Sequence, residues 1–239
     1  MIKVITSDQR HTSDHGWIHS EFSFSFSDYE DPSNAHFGCL LAHNENILKP
    51  KMGFKRHPHH DLEIVSYVVS GTLSHSDSLG NTHKLKAGHV QVMSAGTGVE
   101  HEERNPSDWE DVHFIQMWFL PDQKGEAPAW KAHDFTKEDQ LNKLLPVVSG
   151  NGLEGSLPIN QEVNVYLSTL ETGREVSLPH RNERRTHVFL IEGNADLTCG
   201  DEELSLRPGD CTRIKKSCDI VFRGTGSDKP AELLIVDMP

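Results

Sequence analysis

The chain has 239 residues, 35% of them hydrophobic and 25% charged, which is enough for one large or two small globular domains at about 150 residues each. Its 36 acidic against 23 basic side chains leave a net charge of -13, and that opposes binding to DNA or RNA because every phosphate contact would work against a repulsive field. No apolar run approaches the roughly 20 residues that span a bilayer, and the opening MIKVITSDQRHTSDHG lacks the basic-then-apolar layout of a secretory signal; a mature chain starting at Met1, cytoplasmic and away from membranes, is expected.

In chain order, short segments rich in β-branched and aromatic residues dominate. Residues 63–69 (Glu-Ile-Val-Ser-Tyr-Val-Val), 89–93 (His-Val-Gln-Val-Met), 113–119 (His-Phe-Ile-Gln-Met-Trp-Phe) and 187–191 (His-Val-Phe-Leu-Ile) read as strands, broken by Gly, Pro, Asn and Asp. One stretch differs. Residues 134–145 offer Thr136 as N-cap, acids in the first turn and Pro146 just past the end, so a helix is predicted there. It lies between two β-rich halves and sets the boundary, giving domains at residues 1–133 and 134–239. Four cysteines, Cys39, Cys199, Cys211 and Cys218, show no CxxC spacing, and without a signal they are expected as reduced, buried thiols.

The halves are related. Residues 63–93 run strand, Gly71, hairpin, then Leu85-Lys-Ala-Gly88; residues 186–214 run strand, Gly193, hairpin, then Leu206-Arg-Pro-Gly209. The offsets are 122 for the first glycine pair and 121 for the second. A twofold repeat of a small β unit implies two barrels of similar design, each closing its own edges. The fold class predicted is all-β: two β-barrel (jelly-roll) domains in one chain, joined by a short helical linker.

Among 16 histidines, spacing selects a few. His57-Pro-His59 is His-x-His, and residues two apart on a strand project to the same face. His101-Glu-Glu103 repeats that geometry. Two neighbouring strands would thus deliver His57, His59, His101 and Glu103 to one point. Such nitrogen and oxygen donors suit a divalent first-row metal with positions left open. The repeat supplies a control: shifted by 122, His57 and His59 fall on Pro179 and Arg181, and shifted by 121, His101 and Glu103 fall on Phe222 and Gly224. His180 and His187 do not share a strand face. The second barrel is expected to be metal-free, a scaffold for the first. His60, His75, His83 and His89 read as surface residues, whereas His113 and Gln116 lie on a strand that lines the same barrel and offer outer partners to the ligands. Trp17, Phe22, Phe24 and Phe26 read as core.

His57-x-His59-x3-Glu63 with Gly53 and Gly71, followed by Gly88, His101 and Asn105, resembles the paired motifs of the cupin superfamily. His15-Gly-Trp17, Phe24-Ser-Phe26-x2-Tyr29-x-Asp31-Pro32, Phe37-Gly38 and Met93-Ser-Ala-Gly-Thr-Gly98 narrow the resemblance to the pirin family, and within it to bacterial quercetin-dioxygenase members. That resemblance implies a bicupin with His57, His59, His101 and Glu103 as ligands and iron(II) as the ion, with manganese, cobalt, nickel, copper and zinc also compatible. In many other cupins the carboxylate ligand stands at the place of Glu63. Phe22 stands where related sequences often carry a histidine, at the pocket entrance. The activity implied is O2-dependent opening of a flavonol such as quercetin with release of carbon monoxide, Glu103 taking the substrate proton. A redox-dependent regulator binding a protein partner, and a metal-dependent isomerase or hydrolase, are the other readings the resemblance permits.

Overall fold

The computed structural model describes residues 2–179 and 183–239, and within them the chain is almost entirely β. Two single 3-10 turns, Ser7–Gln9 and Pro32–Asn34, are the helical elements among the described residues, and no helix there is long and apolar enough to cross a membrane.

The chain divides into two compact units. One comprises His11–Phe135 with Leu157–Gln161; the other comprises the chain up to Arg10, Thr136–Ser156 and Glu162–Pro239. The boundary predicted between residues 133 and 134 therefore misplaces the N-terminus. Ile2–Ile5 forms an antiparallel strand against Cys211–Ile214, so the start of the chain belongs to the second unit. Its alternating Ile-Lys-Val-Ile supplies an edge strand whose apolar side packs on that unit's core.

Each unit is a larger sheet facing a four-stranded one. In the first, the large sheet runs Ala129–Asp134, His89–Ser94, Glu63–Ser70, Val112–Phe119, Leu40–Leu48, Ile18–Phe22, His11–Asp14, and the small one Gly53–His59, Val99–Arg104, Thr72–Asp77, Thr82–Lys86. The central Glu63–Ser70 strand is buried on both faces, which is why it reads as an unbroken apolar run. Thr72–Asp77 alternates strictly between half-buried and buried positions. In the second unit Arg185–Glu192, Ala231–Met238 and Asn164–Leu170 lie side by side, facing the small sheet Glu175–Leu178, Ile220–Gly224, Ala195–Cys199, Glu202–Leu206.

Two sequence expectations fail. No helix forms over 134–145. Thr136 does build one capped turn, its Oγ1 donating to Asp139 and accepting from the Asp139 amide. The turn does not propagate, because the backbone is taken by another strand: the Asn142 amide donates to the Thr169 carbonyl at 2.7 Å, the Thr169 amide to Gln140 at 2.9 Å, and Asn142 sits at φ +55°. A twelve-residue stretch is marginal as a helix on its own and yields to such competition. Second, Cys199 and Cys218 form a disulfide with Cα atoms 5.6 Å apart. Cys199 pairs with Ile220 across the sheet, which carries Cys218 to its side.

Candidate metal centre

The Gly53–His59 and Val99–Arg104 strands run antiparallel with His57 opposite His101. A register shift between His101 and Glu103 puts Glu103 opposite Phe54. Close approach at this end requires glycine: a Cβ on Gly53 would stand 2.5 Å from the Glu103 carbonyl oxygen and 2.7 Å from the Arg104 Cα. Gly71, at φ +77°, turns the chain from Glu63–Ser70 into Thr72–Asp77.

The three predicted imidazoles converge. The His57 and His101 Nε2 atoms are 3.1 Å apart, and the His59 ring centre lies 4.8 Å from that of His57 and 5.0 Å from that of His101. His57 donates from Nδ1 to the Lys55 carbonyl at 2.7 Å, which leaves its Nε2 lone pair facing inward. The His59 Nε2 is buried without a hydrogen-bond partner. Burial, then the neighbouring imidazoles of His101 and His57, push His59 down to about 4; burial, then His57 and His75, push His101 down to about 3. Near neutrality both rings are uncharged, with a lone pair to give. These donors fit a divalent metal.

Glu103, 2% exposed, is fixed from behind. Gln91 Nε2 donates to its Oε1 at 2.7 Å and Gln116 Nε2 to its Oε2 at 2.8 Å. Each glutamine is oriented in turn by an indole, which can only donate: Trp130 Nε1 to Gln91 Oε1 at 2.9 Å, Trp118 Nε1 to Gln116 Oε1 at 3.1 Å. Each carboxylate oxygen keeps lone-pair capacity for a cation. Glu103 shares a cluster with His101 and His75, their donor atoms lying within 4.8 Å of one another.

Glu63 is elsewhere. It accepts from Ser94 Oγ at 2.6 Å and from the Asn160 amide at 3.1 Å, on the face of its strand opposite Ser66, whose hydroxyl meets Gln91 and Gln116. Burial raises its carboxyl above the ordinary value. Asn105, the last motif residue, ties down backbone by donating to the Leu48 and Glu110 carbonyls at 3.0 and 2.7 Å.

Of the histidines read as surface residues, His60 and His83 are exposed and His89 half-buried, but His75 is 1% exposed inside the barrel. Its strand partner Glu103 faces it across the sheet, a relation no local spacing reveals. Gln116 reaches the ligand set as expected; His113 lies on the other face, 2.9 Å from Glu45.

A cavity of about 310 Å³ adjoins the cluster, reached by His57, His59 and Glu103. Trp17, Phe22, Phe26, Phe54 and Trp118 line it, so of the aromatics read as core only Phe24 is purely so. Phe26 meets Trp118 edge-on at 4.9 Å and Trp17 meets Phe54 at 5.5 Å. Asn44 presents a buried Oδ1 with no hydrogen-bond partner at the same wall.

Residues 4–119 match the family Pirin, and residues 146–238 match the quercetinase C-terminal cupin domain. A quercetin 2,3-dioxygenase of Escherichia coli K12 is 33% identical over 239 residues, covering 100% of this chain and 99% of its own. The chain belongs to the pirin family. A putative quercetin 2,3-dioxygenase of Mycobacterium tuberculosis is 36% identical to this pirin, over 99% of the chain and 95% of the relative. The crystal structure of bacterial pirin YhhW from Escherichia coli in complex with nickel(II) superposes with a TM-score of 0.92 at 32% identity, over 100% of this chain and 99% of that one. This pirin is thus a bicupin, and the metal-bound relative together with its own histidine and glutamate cluster makes it a metal-dependent one.

Proposed function

We propose that the first barrel is the active site of a flavonol dioxygenase of the quercetin 2,3-dioxygenase type, with His57, His59, His101 and Glu103 holding one divalent ion, iron(II) in the cell. The observation that carries this reading is the aromatic cavity of about 310 Å³ directly against the cluster, at the lower end of the range for small-molecule sites. An open cavity at the ligands favours a substrate over a purely regulatory metal. The names of the relatives point to the same substrate class.

The bound ion would make a coordinated hydroxyl acidic and offer an open position to oxygen. Everything else falls to the chain. Trp17, Phe54 and Trp118 hold a planar, apolar substrate and exclude water. Asn44 Oδ1 accepts a hydrogen bond from a substrate hydroxyl, which selects a polyphenol over a bare flavone. Glu103 takes the proton of the 3-hydroxyl on an oxygen that its glutamine partner leaves accessible. Both oxygens of O2 enter the ring-opened product and one ring carbon leaves as carbon monoxide.

Oxygen consumption by the iron(II)-loaded chain with quercetin tests the reading, beside His57→Ala/His101→Ala. Uptake that requires substrate and intact histidines supports it; no uptake by chain shown to hold iron sinks the flavonol assignment. Asn44→Leu is expected to raise KM about 5–10-fold, the loss of roughly 1–1.5 kcal/mol from one hydrogen bond, with metal content unchanged.

A further inference from the structure

His75 and Asp77 belong to no motif that the site has used so far, yet both are essentially buried, at 1% and 5% exposure. Across the sheet, Asp77 stands opposite His101 and His75 opposite Glu103. Asp77 is immobilised by the Leu79 and Asn81 amides, each at 3.0 Å, and by the Asn81 side chain. Its Oδ2 accepts from His75 Nε2 at 2.9 Å. A carboxylate accepts only, so His75 carries a proton on Nε2, and in the neutral ring Nδ1 is left with a bare lone pair. Trp130 covers one face of the ring, stacked at 5.1 Å and 15°.

Nδ1 of His75 is buried with no hydrogen-bond partner, and so is Nδ1 of His101. The two rings are 5.5 Å apart between centres. His101 turns its Nε2 toward His57. As a metal ligand through that atom, it must carry its proton on Nδ1. One ring then holds an orphan acceptor and its neighbour an orphan donor, in a place where unpaired polar atoms are costly. Metal-bound imidazoles characteristically give their second N–H to a fixed acceptor.

We propose that His75, anchored by Asp77, is the positioning residue for His101: its Nδ1 lone pair accepts the His101 Nδ1–H, directly or across one water, and so aims the His101 Nε2 at the metal. The inference rests on the reading that His57, His59 and His101 hold an ion. Together with the Trp130–Gln91–Glu103 chain, it means that two of the four ligands are set from the same side of the barrel.

The test uses the full chain stripped of metal and titrated with zinc(II) against a chelator, with ring-nitrogen NMR of the zinc-loaded form. His75→Phe keeps a ring against Trp130 and removes the acceptor; zinc affinity is expected to fall about 10–100-fold. Asp77→Asn, nearly the same size, can donate to His75 Nε2 and move the proton to Nδ1; the NMR signature of His75 should change tautomer, with a similar loss of affinity. The double variant should bind no worse than His75→Phe alone. Wild-type affinity in His75→Phe with an unchanged His101 signature overturns the proposal. So does zinc found on His75 Nδ1 itself. A wild-type chain that binds no zinc sinks the metal reading along with it, an outcome distinct from tight binding that ignores His75.

Discussion

The two barrels share a sheet plan and differ in what fills them. In the first, His101 pairs with His57 and Val99 with His59. In the second, Phe222 pairs with Val176 and Ile220 with Leu178. The residues that stand for the three histidines are thus Val176, Leu178 and Phe222, and Gly224 stands for Glu103. Fixed offsets named Pro179 and Arg181 in place of the first two; the strand register corrects this by three residues, and Arg181, like His180, lies outside the described residues. Phe222 and Leu178 belong to a hydrocarbon core that also takes in Val188, Leu197 and Leu233. The first barrel instead accepts unpartnered nitrogens at His59, His75 and His101. At matching positions one interior is hydrocarbon and the other is imidazole and carboxylate.

Writing the second interior into the first is the sharpest way to break that contrast. His57→Val/His59→Leu/His101→Phe should abolish zinc uptake and quercetin-dependent oxygen consumption. It should also change the response of the metal-free protein to acid. His59 and His101 titrate far lower folded than the ordinary 6.5, so as pH falls below 6.5 the unfolded chain takes up protons first and stability declines. Metal-free wild type should therefore lose more melting temperature between pH 7 and 4.5 than the triple variant does.

The reverse exchange should cost the second barrel directly. Phe222→His removes a fully buried ring and leaves an imidazole without partners; urea denaturation should show a loss of about 2–5 kcal/mol, with zinc uptake by the first barrel unchanged. The smallest effect is expected at Glu63. Its carboxyl is raised by burial, so the fold disfavours its charged form, and the stability this gives is lost as pH rises from 4.5 through the raised value. Glu63→Gln should keep its metal, match wild type at pH 4 and melt higher at pH 8 by no more than about 2–4 °C, the shift that 1 kcal/mol gives at this size. Loss of metal in Glu63→Gln, with metal kept in Glu103→Gln, would reverse the assignment of the carboxylate.

These contrasts also show where sequence reading stops. The convergence of His57, His59 and His101 is legible because two-residue spacing on a strand is a local property, and so is the repeat of glycine-punctuated hairpins. His75, Gln91 and Trp130 were not, since their meeting depends on which strands become neighbours. The Cys199–Cys218 bridge has the same origin. The helix over 134–145 failed for a related reason: its capping signal at Thr136 was real and was obeyed for one turn, until Thr169 claimed the backbone.

The placement of Ile2–Ile5 on Cys211–Ile214 has a bearing on how the protein is made. At about 5–20 residues per second, this strand waits roughly 10–40 s for its partner to be synthesised. By then every residue of the unit His11–Phe135 with Leu157–Gln161 has been synthesised. That unit can assemble while the chain is still growing, but the other must recruit its edge strand from residues made before that unit. A change that displaces Ile2–Ile5 would therefore be felt first by the second barrel, the one farther along the gene.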